Sequence, residues 1–133
     1  IAVIRNPVDI LLSWQHTPAL MLAPSDQHGL SAMWPQAHKV TASDMPALDK
    51  MAQLAELFFQ RYHEWQEHID IVKYEHFVQN PLSVSHLFDM GKPPANASNI
   101  VAPPQARRAG SGDEIRKALR KYAVFAKKFY PDM

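Results

Sequence analysis

The stretch Ile1-Ala2-Val3-Ile4-Arg5-Asn6-Pro7-Val8-Asp9-Ile10-Leu11-Leu12-Ser13 decides how the rest of the chain is read. Its four apolar, partly β-branched first residues predict the end of a buried strand, and Arg5 stands where that strand stops. A helix is expected to follow at once. Asn6 is a favourable N-cap, Pro7 suits the first helical position, and Asp9 carries negative charge into the positive end of the helix dipole. A cation is thereby placed at a strand-to-helix junction, where free backbone N–H groups and a guanidinium fork together favour an anion. Open α/β sheets take their ligands at the carboxyl ends of their strands, which is where Arg5 falls. Ser13 comes nearly two turns after Asn6, about 10 Å further along the same helix.

The 133 residues are enough for one domain with a core of its own. With 47% hydrophobic and 20% charged residues the composition is that of a folded chain, not a disordered one. The absence of cysteine leaves no disulfide, thiolate nucleophile or cysteine zinc site, and it favours a reducing, cytoplasmic setting. No run of residues approaches a membrane span. The chain opens inside a strand and without methionine, so it reads as the C-terminal part of a longer protein. Net charge is only +1, but residues 1–68 hold 4 Lys/Arg against 7 Asp/Glu, and residues 69–133 hold 10 against 6. An anion-facing surface is therefore expected in the C-terminal half.

From Thr17 to Ser43 the sequence reads as a long irregular stretch punctuated by Pro18, Pro24, Gly29 and Pro35, either an acceptor-binding wall or a packed surface loop. Ser43 or Asp44 is expected to cap the next helix. Leu48, Met51, Ala52, Ala55, Phe58, Phe59 and Tyr62 then form one apolar stripe through to about Glu67. His63-Glu64-Trp65-Gln66-Glu67-His68 is one residue out of step with a His-Glu-x-x-His zinc helix, since His68 lies about 100° round from the required position. Ile69 to Tyr74 predicts a second strand, and Asn80-Pro81 the start of a further helix with Val84, Leu87 and Phe88 inward. This alternation points to α/β architecture, a parallel sheet flanked by helices. Tyr74, at the strand's end, is either a ligand-side aromatic or an edge residue with its hydroxyl in water.

Gly91 closes that helix, and Lys92 to Gln105 is a proline-rich connector. Within it, Asn96-Ala97-Ser98 fits the glycosylation acceptor pattern, which matters only for a luminal protein. Next come Arg107-Arg108-Ala109-Gly110-Ser111-Gly112-Asp113, two arginines beside a Gly-x-Gly turn of the kind that wraps guanidinium forks and backbone N–H groups round a phosphate. Ser111 and Glu114 form a capping-box pattern for a last helix running through Ile115, Ala118, Leu119, Tyr122, Phe125, Ala126 and Phe129.

Three of these landmarks, in this order, resemble those of the sulfotransferases that use the sulfate donor PAPS. Arg5-Asn6-Pro7-x-Asp9 with Ser13 resembles the family's 3′-phosphate motif, and Tyr74-Glu75-x-Phe77-x-x-Asn80-Pro81 its strand end near the donor's adenine. Arg107-Arg108-Ala109-x-x-Gly112-Asp113 resembles the loop that closes over the 3′-phosphate. Ala109 stands where the family has glycine and Glu114 where it has tryptophan, so no ring is available for stacking there. The resemblance implies a single domain over residues 1–133, the C-terminal part of a P-loop NTPase-like sulfotransferase fold. It further implies a transferase that moves a sulfuryl group from PAPS to a hydroxyl or amine of a small molecule, glycan or protein, leaving PAP. Arg5, Ser13, Tyr74, Arg107, Arg108, Ala109 and Gly110 are the donor-binding residues it designates.

The family's 5′-phosphosulfate lysine and its catalytic base belong to elements upstream of a segment like Ile1, so no catalytic residue is assigned. His16 is nearby, but no motif makes it the base. Neither a metal nor a nucleic-acid partner is expected on this reading. The competing reading is a non-enzymatic anion-binding module whose basic C-terminal helix docks on nucleic acid or an acidic surface. A nucleotide kinase of similar topology would need a Walker-type loop upstream.

Overall fold

The computed structural model describes residues 1–16, 34–80, 82, 87 and 112–133. Strand β1 (Ala2–Ile4) leads into helix α1 (Pro7–Trp14); then come α2 (Pro35–Thr41), α3 (Ala47–Trp65), strand β2 (Ile71–Lys73), α4 (Tyr74–Gln79), α5 (Gly112–Tyr122) and α6 (Ala126–Phe129). The chain is thus α/β, mostly helical, around a small two-stranded parallel sheet in which Ala2 pairs with Ile71, Val3 with Val72 and Ile4 with Lys73. Parallel pairing requires a crossover, and the helices between the strands supply it.

Helix α1 forms as its local sequence dictates. Asn6 Oδ1 accepts from the Val8 N–H at 3.0 Å, Pro7 occupies the first turn, and Asp9 sits beside the dipole's positive end. Its inward face, Val8 and Leu11, packs with Met51, Ala52 and Ala55 of α3 and with Ile115, Ala118 and Leu119 of α5. The alanines on α3 and α5 keep the two helices close, and the larger side chains fill the space between. A second cluster joins Ile4 of β1 to Phe59, Ala123 and Ala126. At the far end of α1, Trp14 and Trp34 both set their rings edge-on to Phe58, with centroids 6.4 Å and 5.3 Å away.

Several boundaries differ from expectation. Residues 35–41 are helical, not irregular, because Pro35 is well suited to a first helical turn and the buried Thr41 hydroxyl is satisfied by donating to the His38 carbonyl at 3.0 Å. Neither Ser43 nor Asp44 caps α3. Ser43 Oγ donates back to the Val40 carbonyl at 2.7 Å, and Pro46 is the N-cap, with no side-chain capping bond. Strand β2 is shorter than Ile69–Tyr74, and Tyr74 opens α4 in place of ending a strand. Asn80 is accordingly the C-cap of α4; Pro81, Val84, Phe88, Gly91 and the connector to Gln105 lie outside the described residues.

The last helix does not run unbroken to Phe129. It stops at Tyr122, and α6 restarts at Ala126, because the Glu56 carboxylate of α3 takes the backbone N–H groups of Val124, Phe125 and Ala126. A side chain from a distant helix thus caps the start of α6, satisfying donors that a continuing helix would have given to its own carbonyls. Hydrogen bonds to a charged acceptor contribute about 1.5–3 kcal/mol each, and three donors share this one. Glu56→Ala is expected to lower the unfolding free energy by about 2–3 kcal/mol in urea denaturation, with Glu56→Gln recovering part of it through its amide oxygen. A change below about 0.5 kcal/mol would show that the break in the helix does not depend on Glu56.

Candidate functional site

The site expected at the carboxyl ends of the strands is built by register. Ile4 and Lys73 are the last ladder pair. Beyond them the guanidinium carbon of Arg5 lies 5.4 Å from the centroid of the Tyr74 ring. One residue further on, the Asn6 N–H donates to Glu75 Oε1 at 2.7 Å. Arg5 and Tyr74 are therefore brought together from positions far apart in the chain. A guanidinium over a phenol face gains about 0.5–1 kcal/mol at a partly exposed site and is held in orientation by it.

Ser13 stands apart from this pair, exposed at the opposite end of α1, in the turn that Trp14 anchors to Phe58. Arg107, Arg108, Ala109 and Gly110 lie outside the described residues, while Gly112 and Asp113, the last members of the same motif, open α5. A Cβ on Gly112 would come within 3.1 Å of Arg116 Nη1, the movable end of a long side chain, so that position tolerates a small residue. Asp113 and Arg116 form an exposed pair at 3.4 Å, of a kind that adds little stability.

A cavity of about 630 Å³ lies between these elements. Asn6, Asp9 and Leu12 of the α1 segment form one side, Gly112, Asp113 and Arg116 of α5 another, with Lys73 and the C-terminal residues Phe129 to Met133 completing it. None of Arg5, Ser13 and Tyr74 is among its lining residues, but the immediate neighbours of two of them, Asn6 and Lys73, are. Its described wall is electrostatically mixed. Lys73 and Arg116 face Asp9, Asp113 and Asp132, and the amino ends of α1 and α5 add partial positive charge.

Two contributors were assigned no role from the sequence. Glu75 belonged to the Tyr74-Glu75 landmark without a role of its own, yet it bridges the strand end to the C-terminal segment: its Oε2 accepts from the Tyr130 hydroxyl at 2.9 Å. Tyr130 falls in no motif. Its ring stands edge-to-face with Phe59, at 6.0 Å between centroids, and Lys73 Nζ lies 4.9 Å from the ring centre. They are linked by the packing of the C-terminal segment on α3 and the strand end, which no local pattern encodes.

Burial, then the hydrogen bond to Glu75 and its charge, and lastly the charge of Asp9 push the Tyr130 hydroxyl well above the ordinary tyrosine value; burial alone raises that of Tyr62. A phenol whose folded value exceeds its unfolded value of about 10 stabilises the fold fully below that pH and loses the contribution as pH rises through and beyond it. Unfolding free energy is expected to fall between about pH 10 and about pH 12, and less steeply in Tyr130→Phe, which has no proton to lose there. Urea titrations across that range check it, and parallel slopes for the two chains would exclude Tyr130 as the group responsible.

His63 and His68, the histidines of the near-zinc pattern, turn to different neighbours. His63 Nε2 lies 2.8 Å from Lys128 Nζ, and the His68 ring packs on Trp65. Among the described residues no three metal-ligating side chains gather, and no helix is long and apolar enough to cross a membrane. Set against protein-family models, curated proteins and solved structures, the chain matches none of them.

Proposed function

We propose that this chain forms the 3′-phosphate and adenine side of the donor site of a PAPS-dependent sulfotransferase, an enzyme passing a sulfuryl group to a hydroxyl or amine acceptor. The observation that carries this reading is convergence. Arg5 packs over Tyr74 at the ends of two parallel strands, and Asn6, its neighbour, shares a cavity with Gly112 at the end of the third landmark. Described residues at or next to three sequence-remote motifs thus lie about one region, which supports the reading, and the two-stranded parallel sheet is compatible with the P-loop NTPase-like sulfotransferase fold that the reading implies.

In this reading Arg5 holds the 3′-phosphate through its guanidinium fork and Tyr74 offers an aromatic face to the adenine, while Ser13, also designated by the resemblance, stands at the other end of α1 and is not brought beside them. The residues fit such a group chemically: a guanidinium held in orientation, an aromatic ring beside it and two helix amino ends nearby. The described cavity wall has one carboxylate more than it has cations, so an anion there needs further positive charge, which the reading assigns to Arg107 and Arg108, outside the described residues. With Ala109 and Gly110 they complete the donor-binding set. Sulfuryl transfer also requires a base for the acceptor proton and a cation on the 5′ side, and no residue of this chain is assigned to either task.

Calorimetric titration of the chain with PAP and with AMP tests the reading, because the two differ only by the 3′-phosphate. PAP is expected to bind at least about tenfold more tightly. Equal affinities would overturn the assignment. A second reading draws on the exposed Lys117, Arg120, Lys121 and Lys127 of α5 and α6. It requires binding to unrelated polyanions that weakens steeply with salt and shows no preference for PAP.

A further inference from the structure

The two strands end one residue short of the pair that the donor reading needs. Carrying their separation of 69 residues onward from Ile4 and Lys73 sets Arg5 opposite Tyr74 and Asn6 opposite Glu75. Backbone pairing cannot continue there, because the chain turns into α4 at Tyr74. Side chains take its place: the guanidinium covers the Tyr74 ring, and Glu75 Oε1 receives the Asn6 N–H that a strand carbonyl would otherwise have taken. The second carboxylate oxygen is engaged by the Tyr130 hydroxyl, whose ring contacts both Phe59 and Lys73. With both oxygens committed to elements of different origin, the carboxylate has a fixed orientation.

We propose that Glu75 is the positioning residue of the donor site: it holds the Arg5–Asn6 strand end against Tyr74, and Tyr130 holds Glu75. The inference rests on Arg5 being the 3′-phosphate ligand. A guanidinium recognises phosphate through two parallel hydrogen bonds, so its aim governs affinity, and small displacements of its backbone are costly. Asn6 is also the N-cap of α1 through its bond to the Val8 N–H. One carboxylate therefore sets both the position of Arg5 and the start of the helix that follows.

The test measures PAP and AMP affinities for the chain, for Glu75→Ala, Glu75→Gln, Tyr130→Phe and Arg5→Ala, and for each of the first three combined with Arg5→Ala. Circular dichroism reports folding. Glu75→Ala is expected to weaken PAP about tenfold while changing AMP less than about twofold. Glu75→Gln and Tyr130→Phe, the gentler changes, are expected to weaken PAP about threefold with the same selectivity, and they supply the test if Glu75→Ala does not fold. In every combination the double variant binds PAP no more weakly than Arg5→Ala alone, because a residue that acts through Arg5 has nothing left to position. Losses that multiply in the double variants, or that fall equally on PAP and AMP, overturn the positioning role and leave Arg5 standing as a ligand. A parent chain that binds PAP and AMP alike overturns the donor reading and this inference with it.

Discussion

Phe59→Ala is expected to lower the unfolding free energy by about 3–5 kcal/mol, Phe59 being the largest fully buried side chain among the described residues. Phe59 is 1% exposed and stands where α3, the sheet and the C-terminal segment meet. Its ring touches three others, Tyr62, Phe129 and Tyr130, with centroids 5.9–6.1 Å away, and it packs in one cluster with Ile4 of β1. Truncation removes the transfer free energy of a buried aromatic and leaves a void that three rigid rings cannot collapse to fill. Val124→Ala is the matching control: at 64% exposed it is expected to change stability by under about 0.5 kcal/mol. Urea denaturation of both variants checks the pair. A loss within about 1 kcal/mol for Phe59→Ala would mean that the C-terminal segment does not pack on α3 in solution.

The consequences of that packing extend to the site. Phe59 braces Tyr130, Tyr130 binds Glu75, and Glu75 holds the backbone beside Arg5. The donor reading therefore places its anion ligand at the end of a chain of contacts that begins in the core.

How far the sequence foretold this follows from how local each determinant is. Helix α1 was legible because its cap, its proline and its acidic residue all lie within four positions, and the apolar stripe of α3 because periodicity is a property of the helix itself. Parallel pairing followed from the alternation of strand and helix. The break between α5 and α6 was not legible: apolar spacing runs smoothly from Ile115 to Phe129, and the group that interrupts the helix, Glu56, belongs to α3. The same holds at the site. Arg5 and Tyr74 were each singled out from their own neighbourhoods, but their contact depends on register, and the Tyr130–Glu75 bond on a tertiary fold that no local pattern encodes. Leu54, buried yet outside the expected stripe, shows that α3 is covered on more than one side, with α1, α2 and α5 all packed against it.

Arg5→Ala is expected to weaken PAP binding about tenfold to a hundredfold, the loss of a charged hydrogen-bonded contact worth about 1.5–3 kcal/mol. AMP, which lacks the 3′-phosphate, should change far less, and the ratio of the two losses is the diagnostic quantity. Because Arg5 also covers the Tyr74 ring, its removal disturbs that ring, and a common loss through the ring would fall on both nucleotides alike. Arg5→Lys separates the two roles. It keeps the charge but neither the planar fork nor the flat contact with the phenol, so it should restore only part of the PAP affinity. Tyr74→Phe keeps the ring and should leave Arg5 in place, with PAP affinity within about twofold of the parent. Calorimetry on the four chains decides between the outcomes. A selective loss of PAP, partly recovered by lysine and untouched by Tyr74→Phe, is what a 3′-phosphate ligand at the end of β1 requires. Equal losses for PAP and AMP would instead make Arg5 a packing residue and remove the donor site's first wall.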